Sequence, residues 1–354
     1  MHNAETEPGM KAIEAIALTP RIQLEGATMT GSQSTWGFPA ITAFTGAAHA
    51  LERALVAEGH DIRITGVSVI CHEHQIHASK PEDDYEYSVH LQRNPHGVRL
   101  KSAGDLRKPP AIVEEGKMNL TLTLLLALSG NDARTRDTGD AVAQTIQKQI
   151  AGGLLRIAGG NIMPATTPVG RKGVKATRFE PVSDQYEQRE RDTRRLLRAA
   201  LPGFMLVDRT DLLCENADAA REQGDPTPWL TSFLDTLSLT YEPHPVASPL
   251  RQDEKQEPLD QEYDWQPRAR EAWLVPVPVG YVALHQAQPP GATPGARHPG
   301  MAHQFVEGLH SIGAWVSPHR IRRLESCFWY LDNDAQQGIY RVRNDYAALE
   351  LDHT

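Results

Sequence analysis

The order of the periodic apolar segments in the first half of the chain constrains its fold more than any other feature. Apolar residues alternate over short runs typical of strands and recur at helical spacing over two longer runs. The pattern predicts strands at 13–18, 62–75, 85–91, 117–128 and 154–163, and helices at 39–58 and 138–150. This is the order of the ferredoxin-like (RRM-type) βαββαβ unit, so we expect an α+β fold built on that core. Because this unit carries many unrelated functions, function needs separate evidence.

The second half of the chain has a less regular pattern. We predict a basic helix at 184–200, a strand at 204–207, a helix at 227–237, an extended segment at 273–278, a helix at 303–315 and strands at 328–331 and 339–343. Pro276 and Pro278 should confine the extended segment to a sheet edge, because proline cannot donate to a strand ladder. We therefore divide the chain into an N-terminal tail at 1–10, a core at 11–165, an insertion with an acidic linker at 166–270, C-terminal elements at 271–346 and a tail at 347–354.

Composition bears on the location of the protein. The 354 residues are enough to bury a sizeable core without covalent cross-links. Three widely spaced cysteines, Cys71, Cys214 and Cys327, do not suit a disulfide framework or a four-cysteine zinc site. The N-terminus lacks a secretory pattern, and the longest apolar run, 120–128, is too short to span a bilayer. We expect a cytoplasmic protein with no membrane contact.

The charge is sorted along the chain. A net charge of -9 argues at first against nucleic acid, whose phosphates attract Lys and Arg. Residues 171–198, however, hold nine basic and five acidic side chains, a local net charge of +4, while acids crowd residues 253–264 as in a solvated linker. The basic segment is either an arm that orders on a phosphate backbone or a solvated surface loop. Its candidate RNA-binding residues are Arg171, Lys172, Lys175 and Arg178.

A loop with two aromatic residues precedes the first predicted helix. The positive end of the helix dipole and the free N–H groups there favour a phosphate, and Trp36 or Phe38 could stack on a base. Alternatively, both aromatic side chains cover the core. The pattern alone leaves both interpretations open. The candidate binding residues are Thr35, Trp36, Gly37, Phe38, Pro39 and Thr45.

A second candidate segment contains paired glycines. Gly159 and Gly160 could let the backbone approach a ligand and turn successive N–H groups toward an anion, while Arg156 adds a forked donor. Asn161 could read a base edge. Ordinary turn glycines are the alternative.

Metal binding and catalysis have weaker signals. His72 and His74 would share one face of a strand, but no ligand-spaced partner pair accompanies them, so we expect no metal. The sequence lacks a nucleophile elbow, a Walker loop and a His-Glu-x-x-His helix. A ribonuclease that uses His49 as general base near the aromatic loop is the alternative to a non-catalytic protein. We predict no catalytic residue and no cofactor.

Nine sequence blocks together resemble the Csy-two family, the Cas-five-type subunit of type I-F CRISPR surveillance complexes. The resemblance extends from about residue 13 to residue 343, and the N-terminal tail, the acidic linker and the final residues lie outside it. The blocks are TWGFP at 35–39, FTG at 44–46, VICH at 69–72, RNP at 93–95, AIVEEG at 111–116, RIAGGNIMP at 156–164, LPGF at 201–204, WLVPVPVGY at 273–281 and SPHR at 317–320.

The resemblance implies a repeat-associated (RAMP) ferredoxin-like fold with a hairpin or thumb insertion. It implies a non-catalytic subunit that pairs with the Cas-eight-type large subunit (Csy-one), abuts the first Cas-seven-type backbone subunit (Csy-three) and caps the 5′ handle of the CRISPR RNA (crRNA). It adds His319 and Arg320 to the RNA-binding candidates. Target double-stranded DNA within the complex and phage anti-CRISPR proteins are the other partners that it implies. Subunits of such assemblies often expose apolar surface when isolated, and we expect that here.

Overall fold

The computed structural model describes most of the chain. The described residues are 10, 12–32, 34–81, 87–95, 112–153, 155–164, 176–245, 263–270, 272–296 and 298–351. The strands are β1 (Ala15–Thr28), β2 (Arg63–Ile76), β3 (Ala78–Ser79), β4 (Ser88–Val89), β5 (Leu91–Pro95), β6 (Ile112–Ser129), β7 (Arg156–Ile157), β8 (Gly160–Ile162), β9 (Arg178–Pro181), β10 (Phe204–Asp208), β11 (Tyr241–Pro245), β12 (Tyr263–Pro267), β13 (Trp273–Ala283), β14 (Val306–Val316), β15 (Tyr330–Leu331) and β16 (Ile339–Arg343). The α-helices are α1 (Ile41–Ala57), α2 (Arg136–Ala151), α3 (Tyr186–Ala199), α4 (Thr210–Glu222) and α5 (Pro228–Leu237).

One large antiparallel sheet organises the fold. Within the described ranges it has twelve strands, with a main path of β15-β16-β13-β14-β10-β2-β6-β1-β8-β7. β9 pairs with one half of the outer edge of β1, β8 pairs with the other half, and β5 pairs with β6. Helix α1 connects β1 to β2, and α2 connects β6 to the β7–β8 hairpin. The prediction of a mixed α and β fold is confirmed.

Helices cover both faces of the sheet. Ala15 and Ala17 of β1 pack in the cluster that contains α1 and α2, whereas Ile16 and Leu18 pack in the cluster that contains α3 and α4. β6 alternates in the same way, with Leu125 on the α3 side between neighbours on the α1 side. A strand covered on both faces must be apolar on both, which explains the continuous apolar run at 124–128 and confirms the strand predicted at 117–128.

The first helix and the two terminal strands match their predictions closely. The apolar residues that recur at helical spacing in α1 (Ile41, Phe44, Ala48, Leu51 and Leu55) are all buried, and β15 and β16 fall inside the segments predicted at 328–331 and 339–343. The predicted strand at 154–163 is instead a hairpin of two short strands, because Ala158 and Gly159 both adopt positive φ angles that turn the chain. Strand β1 is longer than the strand predicted at 13–18, because it continues to Thr28.

In the second half, one predicted element was wrong and one helix was missed. The segment predicted as a helix at 303–315 is strand β14, which pairs with β10 on one side and β13 on the other. Gly308 and Gly313 weaken a helix there, and Gly313 suits the sheet because an added Cβ would lie 2.5 Å from Val277 Cγ2. Helix α4 was not predicted at all.

The prediction that prolines confine residues 273–278 to a sheet edge holds only locally. Strand β13 lies inside the sheet, paired with β14 along its length and with β16 at residues 280–282. At Pro276 and Pro278, β13 pairs with β14 on one side, while its pairing with β16 on the other side begins only at Gly280. The N–H groups that these prolines lack are therefore not needed for pairing on the β16 side. The acidic linker at 253–262 lies outside the described residues, whereas 263–264 begin β12. None of the described helices has the length and apolar character needed to cross a membrane.

Candidate nucleic-acid interface

The N-terminal half of α1 and the β7–β8 hairpin line a single groove, although more than a hundred residues separate them in sequence. The groove has a volume of about 380 Å³ and is called the α1 groove below. Its floor and walls are built from small side chains of α1, hydroxyl groups at the end of β1 and one guanidinium group. The lining residues are Thr28, Thr30, Pro39, Ala40, Ala43, Gly46, Ala47, Ala50, Arg156, Ala158 and Gly159.

The start of α1 leaves backbone donors for a ligand. The first N–H groups of a helix have no acceptor within the helix. Ala40 precedes α1 and supplies no capping side chain, and the first turn of α1 contains no acidic residue. The helix begins at Ile41, two residues after the predicted start at Pro39, which is buried in the loop before the helix. Uncapped donors and the positive dipole end favour an anion at this end of the groove.

Local hydrogen bonds fix the loop before α1. The backbone N–H groups of Ser34 and Thr35 both donate to Ser32 Oγ at 3.1 Å, and Gly37 N–H donates to the Met29 carbonyl at 2.9 Å. Thr35 is buried, and Gly37 adopts a φ of +116° that favours glycine. A loop with this many internal bonds holds its side chains in defined positions before any ligand arrives.

The loop sends its two aromatic side chains in opposite directions. Trp36 is 64% exposed and lies beside Thr30 of the α1 groove through an antiparallel bridge. Phe38 stacks on Phe44 with ring centroids 5.8 Å apart and meets Trp315 edge-on at 4.8 Å. Phe38 is therefore a packing residue, and Trp36 is the aromatic group available to a base.

The β7–β8 hairpin forms the opposite wall of the α1 groove. Thr28 N–H donates to the Ala158 carbonyl at 2.8 Å, which fixes the hairpin turn against the end of β1. Arg156 donates to the Gly159 carbonyl within the same hairpin and lines the groove. Asn161 is exposed on β8, opposite Arg156. The paired glycines thus make a turn, as one interpretation expected, and the turn also lines the groove.

We expect Gly160→Ala to weaken the attachment of this hairpin. An added Cβ would lie 2.9 Å from Ala27 N and 3.0 Å from Ala27 Cα, and backbone atoms cannot move aside as a flexible side chain can. Overpacking of this kind costs about 1–3 kcal/mol of unfolding free energy, measurable by chemical denaturation. The control is Gly46→Ala in α1, where no atom lies within 4 Å of the added methyl and helix propensity should give a gain of about 0.5–1 kcal/mol. Equal unfolding free energies of the two variants would contradict the close packing of Gly160 against the backbone of Ala27.

A second groove on the other side of the α1 N-terminus was not predicted. It is formed by Gly31, Ser32, Ser34 and the start of α1 against β13 and β14, and its polar members include Ser32, Thr42, Tyr281 and His310. His310 Nε2 lies 2.7 Å from Ser32 Oγ, so β14 supports the loop. Burial lowers the pKa of His310, which keeps the imidazole neutral near pH 7. His310 could not be found from the sequence, since its segment was predicted as a helix.

Comparison with known proteins decides the family. The sequence matches the family model Cas_Csy2, described as a CRISPR-associated protein, over residues 17–342. The chain belongs to the Csy2 family. A curated relative, CRISPR-associated protein Csy2 of Pseudomonas aeruginosa (strain UCBPP-PA14), is 35% identical over 328 residues, which are 93% of this chain and 94% of the relative. The predicted family is confirmed, and the chain is a CRISPR-associated subunit.

Several predicted RNA-binding residues of this Csy2-family chain lie away from the α1 groove. Arg178 of β9 pairs opposite Leu18, ten residues along β1 from Thr28, which is roughly 30 Å in a strand. His319 and Arg320 are exposed in a turn that follows the far end of β14, next to α3. Thr45 donates to the Thr42 carbonyl at 3.1 Å and does not line the groove. Arg171, Lys172 and Lys175 lie outside the described residues.

The histidines considered for chemistry in this Csy2-family chain have other surroundings. Both ring nitrogens of His72 are engaged, one with the Pro202 carbonyl and the other with Thr123 Oγ1 at 2.7 Å. Burial raises the pKa of Cys71 beside it to about 11, so this thiol is protonated at neutral pH. In the described part of the chain, no group of three or more His, Cys, Asp or Glu side chains could hold a metal ion. His49 is exposed on α1 and is not among the groove-lining residues.

Proposed function

We propose that this chain is a non-catalytic subunit of a type I-F CRISPR surveillance complex and holds the 5′ handle of the crRNA in the α1 groove. The observation that carries the proposal is that Pro39, from the loop before α1, and the Arg156–Gly159 turn line the same groove, with Trp36 bridged to Thr30 at its edge. Membership of the Csy2 family supports the RNA-guided setting. The complex would use this subunit to anchor its backbone for target DNA recognition in antiviral defence.

The groove offers the contacts that a single-stranded RNA requires. The uncapped N–H groups of α1 and the Arg156 guanidinium would hold phosphates, since both are donors without a competing acidic neighbour among the lining residues. Thr28 and Thr30 contribute hydroxyl groups at the end of β1. Trp36 would stack on a splayed base, the usual way in which proteins hold single-stranded RNA. The small side chains of α1 leave room for the backbone of the strand.

We assign the first half of the chain to a ferredoxin-like RAMP core. The strand order β9-β1-β6-β2, with α1 and α2 as the two connections, supports this assignment, because a ferredoxin-like sheet places its third strand between the first two. On this assignment the α1 groove lies beside the first connection.

We propose a cytoplasmic location and, as protein neighbours, the Cas-eight-type large subunit and the first Cas-seven-type backbone subunit. Target DNA would pass through the same complex, and phage anti-CRISPR proteins would act on it.

The proposal is tested by Arg156→Ala in the full chain, assembled with its large-subunit partner. Loss of one charge-assisted phosphate contact should weaken binding of handle-bearing guide RNA by about 1.5–3 kcal/mol, roughly tenfold to a hundredfold in Kd, and reduce the slope of log Kd against log salt. Fluorescence anisotropy with labelled guide RNA, with and without the handle, measures both. The matched control is Arg63→Ala, an exposed arginine beyond the C-terminal end of α1 that pairs with Glu52 at 3.3 Å. Equal affinity of the wild type for both RNAs would refute handle recognition.

The ribonuclease alternative has little geometric support. His49 lies off the stripe of α1 that lines the groove, so a bound strand would not meet its imidazole. Incubation of repeat RNA with wild type and with His49→Ala provides a direct check. We expect the same uncleaved RNA from both proteins, and a product that depends on His49 would overturn the non-catalytic assignment.

A further inference from the structure

Helix α5 turns much of its apolar surface toward solvent. Its sequence places Trp229, Leu230, Phe233, Leu234 and Leu237 on one continuous arc of the helix. Phe233 and Leu237 pack partly against the sheet, but Ser232 is the fully buried residue of the helix, and Trp229, Leu230 and Leu234 are about half exposed. An amphipathic helix normally buries its apolar arc, so the exposed part marks a candidate contact surface.

The β11–β12 ribbon that follows α5 has the same character. Residues directly opposite each other in an antiparallel pair share a face, so the register puts Tyr241, Tyr263 and Trp265 on one face together with prolines. The other face carries Glu242 and Asp264 with their polar partners. All ten residues of the ribbon are exposed, which leaves its aromatic face uncovered.

The ribbon continues from the helix and is anchored to its end. Arg270, just after β12, donates to the Leu237 carbonyl at 3.0 Å and also to the Ser238 carbonyl. Arg268 N–H donates to the Thr240 carbonyl at 2.8 Å. The exposed apolar groups of these two hydrogen-bonded elements are together called the α5–ribbon surface. Its members are Trp229, Leu230, Leu234, Tyr241, Tyr263 and Trp265.

The size of this surface is that of a protein interface. Its six side chains are between 48% and 61% exposed. At about 200 Å² for a large side chain, they present roughly 650 Å² of apolar area. The largest apolar patch of a typical monomer is about 300–600 Å², and a standard interface takes about 800 Å² from each partner. With its polar rim, the α5–ribbon surface reaches that range.

The charge around the surface selects the class of partner. The described residues 210–245 and 263–270 contain eight acidic and three basic side chains, a net charge of -5. Aromatic residues could stack on bases, but a nucleic acid brought here would meet like charge without the Lys and Arg that its phosphates require. A protein surface with an apolar centre and a rim of Lys and Arg has the complementary character.

We propose that the α5–ribbon surface docks a protein partner that presents an apolar patch rimmed by Lys and Arg. The surface is close to the proposed RNA site: the Phe233 ring on the inner side of α5 lies 6.3 Å from the His310 ring, and His310 supports Ser32 of the loop before α1. A protein bound here would contact the outer side of the helix whose inner side meets His310. The choice of probe rests on the proposed function, which supplies two candidate proteins from the same complex.

The experiment measures binding of the full chain to the large subunit and, separately, to the backbone subunit. The test variant is Leu230→Ser with Leu234→Ser, and the matched control is Leu284→Ser, an equally exposed leucine outside the surface. Because these side chains are more than half exposed, the variants should keep the unfolding midpoint of the wild type. We expect Kd for one of the two subunits to rise at least tenfold in the test variant and to stay within twofold in the control, and the binding of the wild type to weaken as salt increases.

Other outcomes overturn the proposal. Unchanged affinity for both subunits in the double variant refutes a docking role. Loss of guide RNA affinity with protein binding intact assigns the surface to nucleic acid, and loss of self-association in size-exclusion chromatography with light scattering assigns it to a second copy. The test is independent of the handle proposal, because Arg156→Ala is expected to leave subunit binding unchanged. A failure of handle recognition and a failure of docking are therefore distinguishable.

Discussion

Trp329→Ala is expected to lower the free energy of unfolding by about 3–5 kcal/mol, the largest effect of any single change considered. Trp329 is fully buried in the cluster that contains α1 and α2, and its indole N–H donates to the Leu206 carbonyl at 2.8 Å. The alanine variant leaves a large cavity and a buried carbonyl without its donor. Because domains are stable by about 5–15 kcal/mol, much of the folded population could be lost.

The position of Trp329 explains why the effect should extend beyond its own side chain. Its backbone pairs with Val67 of β2 through two hydrogen bonds, at 2.8 and 2.9 Å. This bridge joins the C-terminal segment to a central strand of the first half of the chain. Trp329 therefore connects the two halves of the sheet, and its loss should release both together.

Urea denaturation followed by circular dichroism measures the effect. Trp329→Phe keeps most of the ring volume but loses the N–H donor, so its stability should lie between those of the wild type and the alanine variant. Trp36→Ala is the control for loss of an indole ring, since Trp36 is mostly exposed and should change stability by less than about 0.5 kcal/mol. If the unfolding free energy of Trp329→Ala lies within about 1 kcal/mol of the wild-type value, which is about the error of the method, the C-terminal segment is not docked on β2.

The first half of the chain could be predicted well because its signals are local. The apolar arc of α1 and the two-sided apolar run of β6 each follow from residues within one element. The strand β14 could not be predicted in this way. Its two partner strands, β10 and β13, lie far from each other in sequence. Pairing with both of them outweighs the helix-like spacing of the apolar residues in β14.

The candidate site was predictable only in part, for a related reason. Sequence patterns selected the loop at 35–39 and the turn at Gly159, but they could not show that Pro39 and the turn line one groove, which depends on the pairing of β8 with the end of β1. They also could not separate Trp36 from Phe38, because exposure is set by Phe44 and Trp315, the second of which lies in β14. His310 was missed because it also lies in β14, which was predicted as a helix.

The second large effect separates the two aromatic residues of the loop. Trp36→Ala should weaken binding of handle-bearing guide RNA by about 1–3 kcal/mol, roughly fivefold to a hundredfold in Kd, because a stacked base loses its aromatic partner. Its unfolding free energy should stay near that of the wild type. Phe38→Ala should behave in the opposite way, losing about 1–3 kcal/mol of stability with its contacts to Phe44 and Trp315.

Measuring RNA affinity and unfolding free energy for both Trp36→Ala and Phe38→Ala makes the comparison decisive. Anisotropy titrations should be run at a temperature where Phe38→Ala remains folded, so that its RNA affinity reports the site and not the unfolded fraction. Trp36→Phe should recover part of the RNA affinity, since a smaller aromatic ring still stacks on a base. If Phe38→Ala loses RNA while folded and Trp36→Ala binds normally, Phe38 must leave its packing site between Phe44 and Trp315 when RNA binds. The loop would then reorganise on binding, and its fixed hydrogen bonds around Ser32 would have to break first.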